Sequence, residues 1–225
     1  MKILIVTPMQ EEFDFFLHHC REQQSRSKEI EIGRIQAVHF PELDVTLARG
    51  GLGKVQFAVR TQHLLDMRTD WETVICAGAA GGLVDTISVG DVVVATSTVE
   101  HDYYNKFGKR HLPEYDGAQN VMNALKHVPL PSAAFTVHFG PIASGDEDIV
   151  MDERRRELHQ STEALAVAWE GIGGAKACAF SEMPFVEIRG ITDDANHHAS
   201  SDFKKNLERA MRNVAALIVY WITFE

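Results

Sequence analysis

Short apolar runs alternate with longer amphipathic segments along almost the whole chain, and this alternation constrains the fold more than any other feature of the sequence. A short apolar run bounded by turn residues predicts a buried strand, whereas apolar residues spaced three or four apart predict a helix. We therefore expect strands at 2–6, 73–77, 91–96, 135–143, 164–169 and 185–191, and a meander of half-buried strands at 30–47. We expect helices at 11–20, 54–67, 118–127 and 203–221, with another that follows residue 169 and runs through Cys178. This order predicts an α/β layered fold with a largely parallel sheet.

The length and composition are those of a globular domain. The chain has 225 residues, of which 45% are apolar and 24% are charged, close to the average for such proteins. This length suits one large domain or two small ones. Because no linker rich in Pro, Gly or Ser and no repeat divides the sequence, we expect a single domain over residues 1–225. Residues 100–117 lack periodicity and predict a long loop, of a kind that is often functional.

The charge and the cysteines limit the possible partners. With 22 basic and 32 acidic residues the net charge is −10, and so acidic a surface repels nucleic acid and anionic lipid. No apolar run approaches the roughly 20 residues of a membrane span. Three scattered cysteines indicate buried residues in a reducing compartment, not disulfides or a zinc site. We expect a cytoplasmic protein with no nucleic-acid or membrane partner.

Motifs for cofactors, metals and serine nucleophiles are incomplete. The segment 50–55 resembles part of a phosphate-binding loop, but Val55 stands where Ser or Thr would hold magnesium. The glycines at 78–82 do not fit GxGxxG, and no GxSxG surrounds Ser144. We expect neither a metal nor an organic cofactor. The histidines that could bind a metal are better explained as scattered surface residues: His101, His197 and His198.

Acidic residues follow the ends of several predicted strands, beside small residues. In open α/β sheets the ligand crevice lies beyond the carboxyl ends of the strands. For any single acid, a helix cap or a solvated turn is the simpler interpretation. Their recurrence nevertheless favours a shared crevice, because independent caps need not converge. The acids are Glu11 and Glu12, Asp146 to Asp148, Glu170, and Asp193 and Asp194.

Seven sequence blocks, in order along the chain, resemble the methylthioadenosine/S-adenosylhomocysteine nucleosidases of the nucleoside phosphorylase/nucleosidase superfamily. Each block is weak alone, but the ordered set covers nearly the whole chain. The resemblance implies a single α/β domain with a central mixed, partly barrel-like sheet flanked by helices, assembled as a homodimer. The blocks are MKI through MQEE at 1–12, GLGKV at 51–55, AGAAGGL at 77–83, VGDVV at 89–93, IASGD at 142–146, VAWEG at 167–171 and IRGITD at 188–193.

The resemblance also implies roles for particular residues. Glu12 would be the general base that activates water, and Asp193 the acid that protonates the purine at N7. Glu170 would hold the ribose hydroxyls, and Arg189 would help to position the water or the acid. Leu52 and Phe203 would line an apolar pocket for the 5′ substituent. The remaining implied substrate contacts are Met9, Gly78, Ala79, Asp148, Ile149 and Trp169.

Cleavage of a purine N-glycosidic bond suits these residue types. The reaction builds positive charge on the sugar and negative charge on the leaving base, so one acid serves the base and a second carboxylate serves the water. Asp193 must be protonated when it acts, and burial with neighbouring carboxylates is expected to raise its pKa. Glu12 must stay ionised, so the site is expected to push the two pKa values apart. Asp194 is the alternative to Asp193, since one of the two can simply cap the next segment.

The implied function is hydrolysis of a purine nucleoside to a free base and a ribose derivative, a step of nucleoside catabolism. A phosphate-dependent phosphorylase is the alternative. Related phosphorylases have arginines in the first glycine loop and before the central glycine block, and a serine within that block; this chain lacks all three. Arg49 alone could supply a positive charge.

Departures from the family pattern leave the substrate and the assembly open. Asp148 replaces a usual base-stacking Phe, Trp169 replaces Met, and Ala79 and Ala168 replace Ser and an acid. These changes also motivate a non-catalytic nucleoside-binding sensor as an alternative, against which the retained acids argue. The residues of the long loop that would reach a partner's site, or form a lid, are Phe107, Leu112 and Pro113.

Overall fold

A computed structural model describes residues 2–23, 26–108, 111–129 and 135–224, in which ten strands and six helices alternate. The strands are β1 (Ile3–Thr7), β2 (Lys28–Ile32), β3 (Ile35–Phe40), β4 (Val45–Arg49), β5 (Thr73–Gly82), β6 (Val92–Glu100), β7 (Glu114–Asp116), β8 (Val137–Ser144), β9 (Ala166–Ala168) and β10 (Phe185–Asp193). The helices are α1 (Gln10–Gln23), α2 (Lys54–Met67), α3 (Gln119–Lys126), α4 (Asp152–Thr162), α5 (Gly171–Phe180) and α6 (Ala199–Phe224).

The sheet closes on itself around β5. It runs in the order β10-β6-β8-β9-β5, and β10 also pairs with β5, so these five strands form a barrel. From β5 the sheet continues outward through β1, β4, β3 and β2, and β7 joins the edge of β6. The mixed, partly barrel-like sheet implied by the resemblance is therefore confirmed.

The alternation of strands and helices predicted a largely parallel sheet. This prediction is wrong, because five of the ten strand pairings in the described residues are antiparallel. Alternation predicts parallel pairing only when a helix connects neighbouring strands. Here α5 connects β9 to β10, but these two strands are not neighbours in the described sheet. Strand β10 pairs with β5 and β6. The strands β2, β3 and β4 form the expected meander, which is antiparallel.

Two elements were not predicted, and one continues further than expected. Helix α4 is mostly polar and buries only Leu158 and Thr162, so it has no apolar periodicity to detect. Strand β7 lies inside the predicted loop at 100–117, of which residues 109–110 are outside the described residues. Strand β5 continues through the glycine block, because that block pairs with β10 from Gly78 to Gly81 and with β9 at Gly81 and Gly82.

Strand β1 separates the two main parts of the core. Successive side chains of a strand point to opposite faces. Ile3 and Ile5 pack with α1 and α6 on one face, whereas Leu4 and Val6 pack with α2 and α5 on the other. A strand covered on both faces is continuously apolar, as residues 3–6 are. No helix among the described residues combines the length and the apolar character needed to cross a membrane.

The close approach of α5 to the start of α2 positions part of the site. A Cβ on Gly173 would overlap the Lys54 carbonyl oxygen, so only glycine allows this distance between the helices. At the same junction the amide N–H of Gly53 donates to Glu170 Oε1 at 3.2 Å. Gly173 therefore allows the Glu170 carboxylate, just before α5, to reach the Gly53 amide, just before α2.

We expect Gly173→Ala to lower the free energy of unfolding by about 1 kcal/mol. Overpacking costs about 1–3 kcal/mol, here against backbone that cannot rotate away, and exceeds the roughly 1 kcal/mol that alanine gains in helix propensity. Urea denaturation measures the change. Gly108→Ala is the matched control, because a Cβ at Gly108 meets nothing within 4 Å; equal effects at the two positions would contradict the packing argument.

Candidate active site

A cavity of about 390 Å³ opens at the carboxyl ends of β1, β5, β9 and β10. Three acids that are far apart in the sequence line it together: Glu12 from α1, Glu170 between β9 and α5, and Asp193 at the end of β10. Cavities of this size suit small ligands. The arrangement can therefore present several carboxyl groups to one small molecule.

Eleven of the twelve predicted site residues line this cavity. The exception is Gly78, which lies across the sheet from Arg189 in the β5–β10 register. A Cβ at Gly78 would overlap Arg189 Nη1 and crowd Glu12 Oε1, so this glycine makes room for both side chains. The residues on the cavity wall are Met9, Glu12, Leu52, Ala79, Asp148, Ile149, Trp169, Glu170, Arg189, Asp193 and Phe203.

Glu12 is a buried carboxyl group that is held by backbone amides. Its side chain lies in the first turn of α1, and the residue is 3% exposed. The N–H groups of Met9 and Ala79 donate to its two carboxylate oxygens, each at 2.7 Å. Burial, followed by the charge of Glu170, raises the pKa of Glu12 to about 7, although Arg189 acts in the opposite direction. Such a group is poised to accept a proton near neutral pH.

Arg189 connects the cavity to the interior of the sheet. Its Nη2 donates to Glu170 Oε2 at 3.3 Å, and its Nη1 donates to the Ala79 carbonyl oxygen at 3.2 Å. Its Nε donates to Glu187 Oε1 at 2.7 Å. Burial raises the pKa of Glu170, although Arg189 and the Gly53 amide favour the ionised form.

Sequence reasoning missed Glu187. It lies two residues before Arg189 in β10, so the two side chains point to the same face of the strand. The signal was present, because Glu187 is an acid in the middle of an apolar strand. Its burial was not evident from the apolar run alone.

Asp193 faces the cavity, whereas Asp194 is exposed. The Thr192 hydroxyl donates to Asp193 Oδ2 at 2.7 Å, and the Ala195 N–H donates to Oδ1 at 2.9 Å. Burial raises the pKa of Asp193. Burial raises the pKa of both Glu12 and Asp193, and the expectation that the site pushes their two pKa values apart stays a prediction.

Trp169 and the loop after β8 form another part of the cavity wall. The Trp169 indole N–H donates to the Glu147 carbonyl oxygen at 3.1 Å, which fixes the ring beside Asp148 and Ile149. The Ser144 hydroxyl donates to the Trp169 carbonyl oxygen at 2.8 Å and accepts the Ile172 N–H at 2.9 Å. The loop and the start of α5 are thus joined below the indole.

The basic side chains that line the cavity are Arg189 and Lys204. Arg49, the remaining candidate for a phosphate contact, donates from Nη1 to Gln10 Oε1 at 2.8 Å and does not line the cavity. Within the described ranges, no group of three or more His, Cys, Asp or Glu residues is arranged to hold a metal ion. The expectation that His101 is a surface residue is wrong, because its side chain is buried, whereas His197 and His198 are exposed and pack against each other.

The raised pKa of Glu12 predicts a pH-dependent stability difference between Glu12→Gln and the wild type. The folded state holds the Glu12 proton up to about pH 7, whereas the unfolded chain releases it near 4.5. The wild type therefore loses stability as pH rises between these values, and Gln does not. The free energy of unfolding of the variant minus that of the wild type should increase by about 2 kcal/mol from pH 5 to pH 8.

Urea denaturation at both pH values measures this difference. Glu11→Gln, at the exposed neighbouring position, is the control and should show no such increase. A Glu12→Gln difference that is flat or falls with pH would contradict the buried, protonatable carboxyl.

Comparisons with known proteins find relatives that are similar over most or all of the chain. The chain is 30% identical over 236 residues to the 5′-methylthioadenosine/S-adenosylhomocysteine nucleosidase of Geobacillus thermodenitrificans (99% of this chain, 97% of that protein). It is 32% identical over 166 residues to the Thermotoga maritima nucleosidase of the same name (74% and 73%).

Solved structures have the same fold. The Neisseria meningitidis 5′-methylthioadenosine/S-adenosylhomocysteine nucleosidase in complex with methylthio-immucillin-A superposes with a TM-score of 0.86 at 28% identity over the full length of both chains. Futalosine hydrolase of Helicobacter pylori superposes with a TM-score of 0.88 at 24% identity, covering 100% of this chain and 98% of that one, a likeness of fold. The family model described as Phosphorylase superfamily matches residues 2–223, and the chain belongs to this superfamily.

Proposed function

We propose that this protein is a nucleosidase that hydrolyses the N-glycosidic bond of a purine nucleoside similar to methylthioadenosine or adenosylhomocysteine, releasing the free base and a ribose derivative. The observation that carries the proposal is the convergence of Glu12, Glu170 and Asp193 in one buried cavity. The nucleosidase relatives support the same reaction.

Asp193 is the general acid of the proposed mechanism. Burial raises its pKa, which favours the protonated form, and its position at the cavity wall lets it face the leaving base. Protonation of the purine at N7 removes the negative charge that develops on the base as the bond breaks. A positioned acid of this kind contributes about 10²–10⁴-fold to the rate.

Glu12 is the general base, and Glu170 and Arg189 organise the sugar side. The ionised form of Glu12 accepts a proton from the attacking water. The carboxylate of Glu170, fixed by the Gly53 amide and Arg189, accepts hydrogen bonds from the ribose hydroxyls. Two ionised carboxylates near the ribose also stabilise the positive charge that develops on the sugar.

The remaining wall residues divide between the sugar substituent and the base. Leu52, Phe203 and Met9 give the cavity apolar surface for a 5′ substituent. Asp148, Ile149 and Trp169 form the wall around the base, with Ala79 and Gly78 leaving space beside Glu12. The apolar side chains support a substrate with an apolar 5′ group, as in methylthioadenosine.

Water is the proposed nucleophile, in preference to phosphate. The guanidinium of Arg189 already binds two carboxylates and a carbonyl oxygen, so it has little capacity for a phosphate dianion. Glu12 would repel such an anion. The retained acids argue against a non-catalytic sensor, because binding alone needs no general acid.

Asp193→Asn should lower kcat by about 10²–10⁴-fold while substrate binding persists, since Asn cannot donate a proton to the base. Release of free base from methylthioadenosine, adenosylhomocysteine, adenosine and inosine in phosphate-free buffer measures activity. Asp194→Asn, at the exposed neighbour, is the matched control and should retain activity. Base release that requires added phosphate would favour the phosphorylase, and tight binding without release would favour the sensor.

We further propose a cytoplasmic homodimer. The free, buried Cys20, Cys76 and Cys178 support a reducing compartment. Apolar side chains are exposed around the cavity mouth: Leu52 and Val150 line the cavity, and Val55 (73% exposed) and Val59 (63%) follow on one face of α2. Contiguous exposed apolar surface of this kind marks interaction sites. A second copy of the chain, bringing Phe107, Leu112 and Pro113 toward this mouth, is the proposed occupant.

Val59→Asp should shift the protein from dimer to monomer, because a carboxylate at the centre of an apolar interface is left without a partner. Light scattering coupled to size-exclusion chromatography measures the mass. Phe180→Asp is the control, since Phe180 is an even more exposed apolar residue (82%) at the end of α5. A wild-type monomer, or a Val59→Asp dimer, would contradict this interface.

A further inference from the structure

A fourth buried acid, Glu187, lies outside the cavity and behind the site. It is fully buried in β10, and both of its carboxylate oxygens accept hydrogen bonds. Oε1 accepts the Arg189 Nε–H at 2.7 Å, and Oε2 accepts the Thr98 hydroxyl of β6 at 2.8 Å. The described residues that line the cavity do not include Glu187.

The local packing fixes this carboxylate in place. A Cβ on Gly171, the residue after Glu170, would overlap Glu187 Oε2, so the start of α5 rests directly on the carboxylate. Thr98 holds it from the other side. Glu187 therefore occupies one position beneath the junction of β10, β6 and α5.

Glu187 determines which acceptors the Arg189 guanidinium can reach. With Nε bound to Glu187, the two terminal nitrogens face Glu170 and the Ala79 carbonyl oxygen. Among the described residues, the ion pairs of Arg189 are those to Glu187 and Glu170, whereas Glu12 is held by backbone amides. The candidate base thus lies close to a cation without forming an ion pair with it.

We propose that Glu187 is a positioning residue that acts through Arg189: it turns the guanidinium toward Glu170 and offsets part of its charge, so that Glu12 remains a free base. This role rests on the proposed function. A Glu12–Arg189 ion pair would hold Glu12 as a weakly basic carboxylate. By binding Nε, Glu187 holds the guanidinium so that Nη1 and Nη2 donate to the Ala79 carbonyl oxygen and to Glu170 instead of Glu12.

The charges around Arg189 determine the expected direction of the effect. Glu12 faces it from α1, Glu170 from the start of α5, and Glu187 from β10 itself. Cys76 of β5 is also adjacent, but burial raises the pKa of its thiol, which is neutral. Arg189 lowers the pKa of Glu12. Removing the Glu187 charge leaves the cation less compensated, so the pKa of Glu12 must fall.

Glu187→Gln should move the acid limb of the kcat–pH profile to lower pH by about 0.5–1 unit. On the plateau, kcat should fall roughly three- to tenfold because the base is weaker, with KM changed less than about threefold. Thr98→Val keeps the Glu187 charge and should leave the acid limb in place. Glu100→Gln is the matched control, because Glu100 is a buried glutamate that pairs with Lys54 and Lys176 away from the cavity.

An acid limb that Glu187→Gln leaves unmoved, or that Glu100→Gln moves equally, overturns the proposal. A merely structural role for Glu187 would lower the amount of folded enzyme without moving the limb. The profile therefore separates the two roles.

Infrared titration of the Glu12 carboxyl keeps this test independent of the proposed reaction. Glu12→Gln identifies its signal, and Glu187→Gln should lower the midpoint of that signal even if no nucleoside is hydrolysed. An unchanged midpoint overturns the Glu187 role, whereas a shifted midpoint with no base release overturns the reaction alone.

If Glu187→Gln fails to fold, NMR of the wild type tests the proposal. An Arg189 Nε–H that is protected from exchange supports the proposal, and one that exchanges freely overturns it.

Discussion

The ion pairs of Arg189 with Glu187 and Glu170 hold the site together. Removing a guanidinium and its carboxylates from water is costly unless nearly every polar atom finds a partner. Here Nε, Nη1 and Nη2 each donate to an acceptor, and the carboxylates also accept the Thr98 hydroxyl and the Gly53 amide. This network joins β5, β6, β10 and the N-termini of α2 and α5 at one point. Any element that shifts leaves a buried charge without its partner.

Glycines make this density of side chains possible. Gly78 leaves space for Arg189 and Glu12, Gly171 for Glu187, and Gly81 for Asp193. The closed barrel brings the ends of β5, β9 and β10 together around the cavity. If the three glycines carried a Cβ, the buried acids and Arg189 would not fit beside these strand ends. The small residues of the motifs therefore serve packing as much as substrate access. They explain why β5 tolerates a glycine block that would otherwise weaken a strand.

The sequence predicted the central elements and most of the cavity wall, for identifiable reasons. Residues 3–6 are apolar without interruption because β1 is covered on both faces, and the motif acids follow strand ends because that is where the cavity lies. Helix α4 was missed because it is too polar to show a period. Glu187 was missed because an acid within an apolar strand is only informative once Arg189 is known to lie beside it. Strand direction could not be predicted, since β10 pairs with β5 and β6, neither of which adjoins it in the sequence.

Burial alone cannot separate the proposed acid from the proposed base, because it raises the pKa of both. The neighbours of each group also act in both directions. The charge of Glu170 raises the pKa of Glu12, whereas Arg189 and two amide hydrogen bonds lower it. Hydrogen bonds from Thr192 and Ala195 lower the pKa of Asp193, whereas the charges of Asp194 and Asp202 raise it. The proposed roles therefore rest on position: Glu12 lies in the first turn of α1 and Asp193 at the end of β10, which suits an acid and a base acting on opposite ends of one glycosidic bond.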